Sequence, residues 1–216
     1  MTDYRWIFGD MQGTTCYDII SGQVGNLGPD VSWVSGGRYG FGAQVQMQAT
    51  SNSYVDFGVP PGQFGTNVFT VMFWFVASDA SVPLWDVLTN RNEASAGNFF
   101  CMRMNSSGVM SAEVCEDESG TNYAAVSTTG AALNDNNWHH IAVVRAGPSL
   151  TVYVDGVLNN VGAAESGNPA NISNNNTFRL GCSVIMQQTG ACRYTDLCVF
   201  QDQMADADIA HIFHFH

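Results

Sequence analysis

Residues 136–158 have the sequence NNWHHIAVVRAGPSLTVYVDGVL, and this stretch decides the fold class. The segment led by Trp138 predicts a first strand, AGPS reverses the chain, and LTVYV predicts a returning strand. Asp155 and Gly156 then tolerate the positive φ angles that a two-residue hairpin turn requires. The stretch therefore predicts an antiparallel hairpin and, with it, a chain of antiparallel strands.

The rest of the 216 residues continues this pattern, with 22 Gly and 13 Phe distributed among short apolar segments. The run FTVMFWFV (69–76) is continuously apolar, which predicts a strand at the centre of a sandwich. Residues 9–30 are Gly-rich and are predicted to be irregular, and QMADADIAHIF (203–213) predicts one helical turn. We expect one all-β domain over residues 1–216, a two-sheet antiparallel β-sandwich with at most one short C-terminal helix.

The charge of the chain restricts its partners. The net charge is −12, with seven Arg and no Lys, so the surface repels nucleic acid and anionic lipid. No segment has the roughly 20 consecutive apolar residues of a membrane-spanning helix, so membrane insertion is not expected. Acidic loops rich in Asn and Gly suit the binding of calcium and neutral sugars. The alternative is that the acidic residues contribute only to solubility.

Six cysteines allow 15 disulfide pairings. If a hairpin turns around residues 107–108, Cys101 faces Cys115 on the neighbouring strand, and the same register sets Arg103 opposite Glu113 as a favourable charge pair. A disulfide there would stabilise the fold by about 3 kcal/mol. The spacing of the cysteines does not resemble that of a zinc site.

The remaining cysteines are less constrained. Cys182 with Cys192 is a second candidate pair, which leaves Cys16 with Cys198 near the chain ends. The alternative is six buried thiols in a reducing compartment. Disulfides favour an extracellular, cell-surface or virion-surface location. The opening residues MTDYRWIFGD nevertheless lack the basic start and apolar core of a signal peptide.

The order of the segments resembles the laminin G-like domain of the concanavalin A-like lectin/glucanase superfamily. The similarity rests on a first strand followed by a Gly-Thr-Thr turn, and on the hairpin quoted above. Further matching segments are SYVDFG (53–58), FTVMFWFVAS (69–78), FRLGC (178–182) and YTDLCVFQDQMADADIAHIF (194–213). The resemblance implies a jelly-roll topology and a recognition module for glycans, glycoproteins or other proteins, often with a calcium ion.

The resemblance also implies a calcium site at Asp18, with Gly22 and Asn26 nearby and Asp196 brought in from the closing strand. Calcium prefers carboxylate and carbonyl oxygens from flexible loops. Asp18 can equally serve as a turn residue that accepts hydrogen bonds from its own loop. A second candidate is the acidic loop of Asp117, Glu118 and Asn122, for which a solvated loop is the alternative.

Sugar binding pairs an aromatic ring with amide or carboxylate side chains. Trp85, Tyr123 and Tyr194 adjoin polar loops and are candidate platforms, with Asp117 and Asn122 as polar partners. The alternative is that these rings are partly buried. Trp6, Trp74 and Trp138 are assigned to the core, and His139 and His140 to structural roles.

Catalysis is not expected. A retaining glycosidase needs two carboxyl groups about 5–5.5 Å apart across a cleft, and Glu113 with Glu118 is the nearest approach to such a pair. No G-x-S-x-G nucleophile motif is present. The sequence therefore predicts a non-catalytic module that recognises glycans or glycoproteins. The alternatives are a structural or adhesin subunit whose partner is itself or another protein of an assembly and, as a minor one, a glycoside hydrolase.

Overall fold

The structure is a computed structural model that describes residues 2–10, 12–38, 43–50, 52–78, 81–91, 97–116, 122–164, 171–182 and 190–215, without the side chains of residues 43 and 44. Two antiparallel sheets form a sandwich. The strands are β1 (Tyr4–Trp6), β2 (Thr15–Tyr17), β3 (Val24–Leu27), β4 (Val31–Ser35), β5 (Ala43–Met47), β6 (Tyr54–Asp56), β7 (Phe69–Ala77), β8 (Leu84–Thr89), β9 (Phe99–Asn105), β10 (Met110–Cys115), β11 (Tyr123–Ser127), β12 (Trp138–Ala146), β13 (Ser149–Val154), β14 (Val157–Val161), β15 (Arg179–Gly181) and β16 (Cys192–Phe200). One α-helix, α1, spans Asp206–Phe215, and a single 3₁₀ turn spans Pro60–Gly62.

The first sheet, sheet A, has the strand order β14-β13-β12-β7-β16-β5-β4, with β1 also paired to β16. Strand β7 lies at its centre and is buried along its whole length, as the continuous apolar run predicts. Pairing of β1 with β16 joins the first strand to the last, with Arg5 opposite Cys198. The two ends of the described chain therefore close the same sheet.

The second sheet, sheet B, has the order β11-β10-β9-β8-β15-β6-β3-β2. Alternate side chains of both sheets meet in one large core, which is rich in aromatic rings. Phe64, for example, stacks on Phe69 with ring centroids 4.2 Å apart and meets the edge of Phe100 at 5.6 Å. This core stiffens the two sheets that carry the surface features described below.

The hairpin of residues 136–158 is confirmed. Strands β12 and β13 pair from Ile141 with Val154 to Ala146 with Ser149. The turn to β14 consists of Asp155 and Gly156, whose φ angles are +51° and +76°. Both values lie in the left-handed region that a type I′ turn requires.

Helix α1 covers part of the outer face of sheet A. Its Ile209 is fully buried in a second, smaller apolar cluster with Met72, Ala142 and Cys198. Further along, Phe213 stacks on Trp74, with ring centroids 5.4 Å apart. The short helical turn expected near the C-terminus is thus a ten-residue helix that packs on the sheet.

Residues 9–30 are more regular than the sequence predicts, because β2 and β3 form a hairpin within them. Gly25 permits this pairing, since a Cβ at that position would lie 2.7 Å from Cys16 Sγ and 2.8 Å from the Phe57 ring. Glycine in a strand often marks such a close approach. A Gly-rich composition was therefore a poor indicator of irregular structure here.

The disulfide predictions are wrong: all six cysteines are buried, and the structure joins no two of them. The predicted register of β9 and β10 is off by two residues, because Cys101 lies opposite Glu113 while Cys115 lies opposite Phe99. Cys101 and Cys115 are diagonal neighbours that pack together with Phe99 in a small apolar cluster. Arg103 lies opposite Ser111 rather than Glu113.

The other two proposed pairs are not bonded either. Cys16 lies on β2 of sheet B, within the main core, whereas Cys198 lies on β16 of sheet A in the cluster under α1. Cys182 follows β15 of sheet B, and Cys192 begins β16 of sheet A, where its Sγ is 3.0 Å from the Tyr194 hydroxyl. The structure thus supports the alternative of six buried thiols.

Candidate functional site

A row of four cross-strand neighbours lies on the outer face of sheet A, beyond the rows that α1 covers. Arg193 on β16 is paired with Gln46 on β5 and with Val76 on β7, and Val76 is paired with Trp138 on β12. Phe75 and Ala77 belong to the core, so the alternation of a strand turns Val76 outward, and its paired neighbours with it. We call Gln46, Arg193, Val76 and Trp138 the Val76 row.

The Val76 row borders a surface cleft of about 220 Å³. Its lining combines a guanidinium, amides and a hydroxyl with apolar groups. The lining residues are Gln46, Met47, Val76, Ser78, Asn136, Ala191, Cys192 and Arg193. None of these residues carries a negative charge, although the chain as a whole has a net charge of −12. The cleft is therefore a locally positive site on an acidic protein.

Arg193 differs from the other six arginines in its contacts. Ion pairs or hydrogen bonds hold the other six, namely Arg5, Arg38, Arg91, Arg103, Arg145 and Arg179. The guanidinium of Arg193 makes no ion pair or hydrogen bond with the part of the chain that the structure describes. It is half-buried in the cleft, with its hydrogen-bond donors available to a ligand.

Asn136 brings an amide to the same cleft from the loop before β12. Its φ angle is +67°, and its backbone N–H donates to the carbonyl oxygen of Ala77 at 2.9 Å. Asparagine tolerates this left-handed conformation better than most residues. The hydrogen bond to the end of β7 fixes the loop beside Ser78, so the amide and the hydroxyl line one side of the cleft.

Sequence reasoning missed this site and misassigned one of its members. Trp138 was expected in the core, but strand alternation places it on the outer face, half-buried. The alternation of AQVQM in β5 was a usable signal, because it predicts Val45 and Met47 inward and Gln46 outward. Nothing in the sequence indicates that Arg193 has no partner among the described residues, since that depends on which residues the strand order places beside it.

Two of the predicted sugar platforms lie in the core. Trp85 is 1% exposed, and Gly190 packs so closely on its indole that a Cβ there would approach to 2.5 Å. Tyr194 is also 1% exposed, and its hydroxyl lies against Cys192. Neither ring offers a face to a ligand, so these two predictions are corrected.

The third platform, Tyr123, is 41% exposed and lies at the edge of a charged network on the outer face of sheet B. Its hydroxyl donates to Glu113 Oε2 at 2.9 Å. Glu113 Oε1 lies 3.0 Å from Arg103 and 3.3 Å from Arg91, and Arg103 also binds Asp86 at 3.0 Å. Burial and the Glu113 carboxylate both raise the pKa of the Tyr123 hydroxyl.

This network does not offer the carboxyl pair of a glycosidase. Arg103 lies between Asp86 and Glu113 and binds both carboxylates. Glu113 is occupied by three donors from the protein itself, whereas a catalytic carboxyl must act on the substrate. Glu118, its predicted partner, lies outside the described residues.

The acidic loop is only partly described. Asp117 lies outside the described residues, while the Asn122 amide donates to the Glu116 carboxylate. A role of Asp117 and Asn122 in ligand or calcium binding stays a prediction.

The residues around Asp18 do not fit a calcium ion. The Asp18 carboxylate accepts hydrogen bonds from the backbone N–H groups of Arg5, Ile20 and Ser21 and from the Ser21 hydroxyl at 2.6 Å. Burial opposes ionisation, but these donors outweigh it and lower the pKa of Asp18. Donors, rather than the oxygen ligands that calcium needs, surround this carboxylate.

The other members of the predicted calcium set have different partners. Both carboxylate oxygens of Asp196 bind the Arg5 guanidinium. Gly22, with φ of +78°, closes the Asp18 turn by donating its N–H to the Asp18 carbonyl. Asn26 lies on β3 opposite Thr15 and Asp56. Among the described residues, no three His, Cys, Asp or Glu side chains are grouped so that they would share a metal ion.

A comparison with protein-family models decides the family. Residues 49–210 match the laminin G-like model of the concanavalin A-like lectin/glucanase superfamily. The chain belongs to this family. The match covers most of the sandwich from just before β6 into α1, and it confirms the resemblance inferred from the sequence. No curated protein sequence matches this laminin G-like chain significantly.

Solved structures share the fold at low sequence identity. The binding domain of Paraclostridial Mosquitocidal Protein 1 is 14% identical, with a TM-score of 0.72 over 97% of this chain and 52% of that one. The binding domain of botulinum neurotoxin serotype G is 13% identical, with a TM-score of 0.72 over 98% and 50%. The laminin G-like chain thus spans about half the length of these two binding domains.

A sialidase from Trypanosoma rangeli also contains this sandwich. It is 13% identical, with a TM-score of 0.66 over 97% of this chain and 32% of the sialidase. At these identities the likeness shows the fold alone. The described residues of the laminin G-like chain include no helix with the length and apolar character that a membrane span requires.

Proposed function

We propose that this laminin G-like chain is a non-catalytic recognition module that binds a glycan in the cleft beside the Val76 row. One observation supports the proposal most directly: an arginine that makes no ion pair or hydrogen bond within the described part of the chain lies among the amides of Gln46 and Asn136 and the hydroxyl of Ser78. Sugar hydroxyls are recognised by such polar groups beside an aromatic ring. Trp138 supplies that ring two strands from Arg193, which puts their backbones about 10 Å apart.

Similar proteins agree with a binding role. The mosquitocidal and botulinum structures are binding or receptor-binding domains. A glycan or glycoprotein partner implies an extracellular, cell-surface or virion-surface location, which forms part of the proposal.

A glycan array tests the proposal. The wild-type chain is expected to bind a defined subset of glycans, and Asn136→Gly is expected to weaken that binding. Glycine keeps the left-handed backbone of residue 136 and removes only the amide. Asn159→Ala, on the distant strand β14, is the matched control and should leave binding intact. Absence of binding to any glycan would overturn the proposal.

Calcium is tested in the same experiment by repeating the array with a chelator. Loss of binding would assign an ion to residues other than Asp18, with the acidic loop of Asp117 and Asn122 as the first candidate. Unchanged binding would remove calcium from the proposed mechanism. The two outcomes bear on the cofactor only, since the described residues that line the cleft include no carboxylate that would hold an ion.

A second candidate function is assembly with another protein or with a second copy. Strand β14 is the outermost strand of sheet A, and its Val157, Leu158 and Val161 are 67%, 48% and 57% exposed. Exposed apolar edge strands tend to associate with other chains. Light scattering would detect association, which Val157→Lys is expected to abolish. A monomer at all concentrations would remove the self-association form of this candidate.

A further inference from the structure

We infer that the ligand of the cleft is an acidic sugar, in which one carboxylate or sulfate group of an otherwise neutral glycan binds Arg193. This inference rests on the proposed function and specifies its ligand class. The guanidinium is planar and presents several donors in a fixed fork, which matches the geometry of carboxylate and sulfate oxygens. Neutral sugar hydroxyls interact less strongly with the positive charge of the guanidinium than an anionic group does.

The electrostatic surroundings of Arg193 support the inference. None of the described residues that line the cleft is acidic, so none of them neutralises the guanidinium charge. In the described loop before β12, Asp135 adjoins Asn136, and its carboxylate is already bound by His139 at 3.1 Å and by the Asn137 amide at 2.8 Å. The positive charge of Arg193 is thus available to a ligand.

The state of Arg193 is unusual within this molecule. Each of the other six arginines is bound to a carboxylate or to a backbone carbonyl. Arg145, for example, is fully buried, and its Nη1 donates to the Gly65 carbonyl at 3.2 Å. A half-buried guanidinium without such a partner costs desolvation that an anionic ligand would recover.

Size and overall charge limit the ligand to a single acidic unit. The cleft of about 220 Å³ is smaller than the roughly 300–1,000 Å³ of drug-sized ligand pockets, so it accommodates about one sugar ring. The net charge of −12 repels extended polyanions. A glycan with one acidic residue avoids this repulsion, whereas a polysulfated chain does not.

The neighbouring groups can orient such a ring. Gln46 is paired directly with Arg193 across the sheet, so its amide lies beside the guanidinium. Ser78 and Asn136 also line the cleft and provide a hydroxyl and an amide for the neutral ring hydroxyls. The anion would fix one end of the sugar, and these groups would select among its stereoisomers.

The test is an array in which each acidic glycan is printed beside its carboxyl-reduced or desulfated counterpart. The wild type is expected to bind at least one acidic member about tenfold more tightly than its neutral counterpart, a difference of about 1.4 kcal/mol. Arg193→Gln should abolish that preference. Comparison of the carboxylated and sulfated pairs identifies which anion is recognised.

Arg179→Gln is the matched control, because it removes an equal charge from an arginine that is paired with Asp56 on sheet B. It should leave the preference for the acidic member unchanged, and thermal unfolding of both variants would show that they are folded. Equal binding of acidic and neutral members by the wild type would overturn this inference while glycan recognition stands. Binding to no glycan would overturn the proposed function itself.

Discussion

Arg5 and Asp196 form an ion pair with two hydrogen bonds, from Nε to Oδ1 at 2.7 Å and from Nη2 to Oδ2 at 2.9 Å. The pair joins the first strand to the last strand of the chain. The backbone N–H of Arg5 also donates to Asp18. One arginine thus binds both carboxylates that the family resemblance assigned to calcium.

Asp196→Asn is expected to lower the free energy of unfolding by about 2 kcal/mol, because it removes the charge from a partly buried, two-bond pair. Asparagine is well suited to the φ of +52° at this position, so the substitution adds little backbone strain. Urea unfolding measures the effect. Asp10→Asn removes an equal charge from an exposed loop and should change stability far less. Equal effects would contradict a specific role for the pair.

The two turns of the 136–158 hairpins offer a matched glycine test. Gly147 and Gly156 both have positive φ angles, of +63° and +76°. Alanine in this conformation costs about 1–2 kcal/mol. A Cβ at Gly147 would meet nothing within 4 Å, whereas one at Gly156 would lie 2.8 Å from Phe213 Cβ.

Gly156→Ala should therefore destabilise the protein by more than Gly147→Ala, which measures the backbone cost alone. The excess is expected to be about 1 kcal/mol or more, because overpacking forces α1 away from Trp74. Thermal or urea unfolding of the two variants gives the difference. If the two substitutions cost the same, α1 does not pack on this turn as described.

His140 is expected to make stability depend on pH. It is 1% exposed, its ring lies 5.0 Å from Trp74, and burial lowers its pKa to about 4. Between about pH 6.5 and 4, His140 therefore binds a proton in the unfolded chain but not in the folded chain. Stability should fall as the pH drops through this window, and His140→Phe should reduce the fall. Urea unfolding at pH 7 and pH 5 measures both slopes.

His139 acts in the opposite direction and provides the control. Its Nδ1 lies 2.9 Å from Asp155, and this hydrogen bond, together with one to Asp135, raises its pKa. The contribution of His139 to stability is fully present at a pH below its pKa in the unfolded chain. This contribution is lost as the pH rises through its pKa in the folded chain. His139→Gln should therefore steepen the loss of stability on acidification. A shallower slope in this variant would contradict the assignment.

Sequence reasoning succeeded where the determinants are local. Asp155 and Gly156 fix the turn after β13, and the register follows directly from the two-residue loop. It failed at the β9–β10 hairpin, where the loop is longer. There the Asn105 side chain accepts hydrogen bonds from the N–H groups of Ser107 and Val109, and Gly108 has a φ of +75°. These contacts shift the register by two residues, which loop composition does not reveal.

The candidate site was hidden for a different reason. Gln46, Val76 and Arg193 lie far apart in the sequence and become neighbours only through the strand order of sheet A. The sequence can predict which face each side chain points to, but not which strand lies next to which. Whether an arginine lies next to a carboxylate likewise depends on the strand order of the sheet. Long-range pairing, rather than local propensity, therefore determines where this protein would bind a ligand.

The cysteines offer a direct test of the described register. With Cys101 opposite Glu113 and all six thiols buried, the protein purified without reductant should show six reactive thiols once it is unfolded. In the folded state the thiols should react slowly with Ellman's reagent. Burial raises the pKa of Cys16 to about 12 and that of Cys182 to about 11, and the thiolate is the reactive form.

Reductant provides the second measurement, since it should leave the midpoint of thermal unfolding unchanged. A disulfide between Cys101 and Cys115 would remove two thiols from the count, and its reduction would cost about 3 kcal/mol. A count of four thiols, with a midpoint that falls on reduction, would therefore contradict the register of β9 and β10. Cys101→Ser distinguishes the two cases. If the thiol only packs against Phe99, the substitution should lower the free energy of unfolding modestly. If the thiol were bonded to Cys115, the substitution would lower the free energy of unfolding by as much as the loss of the disulfide.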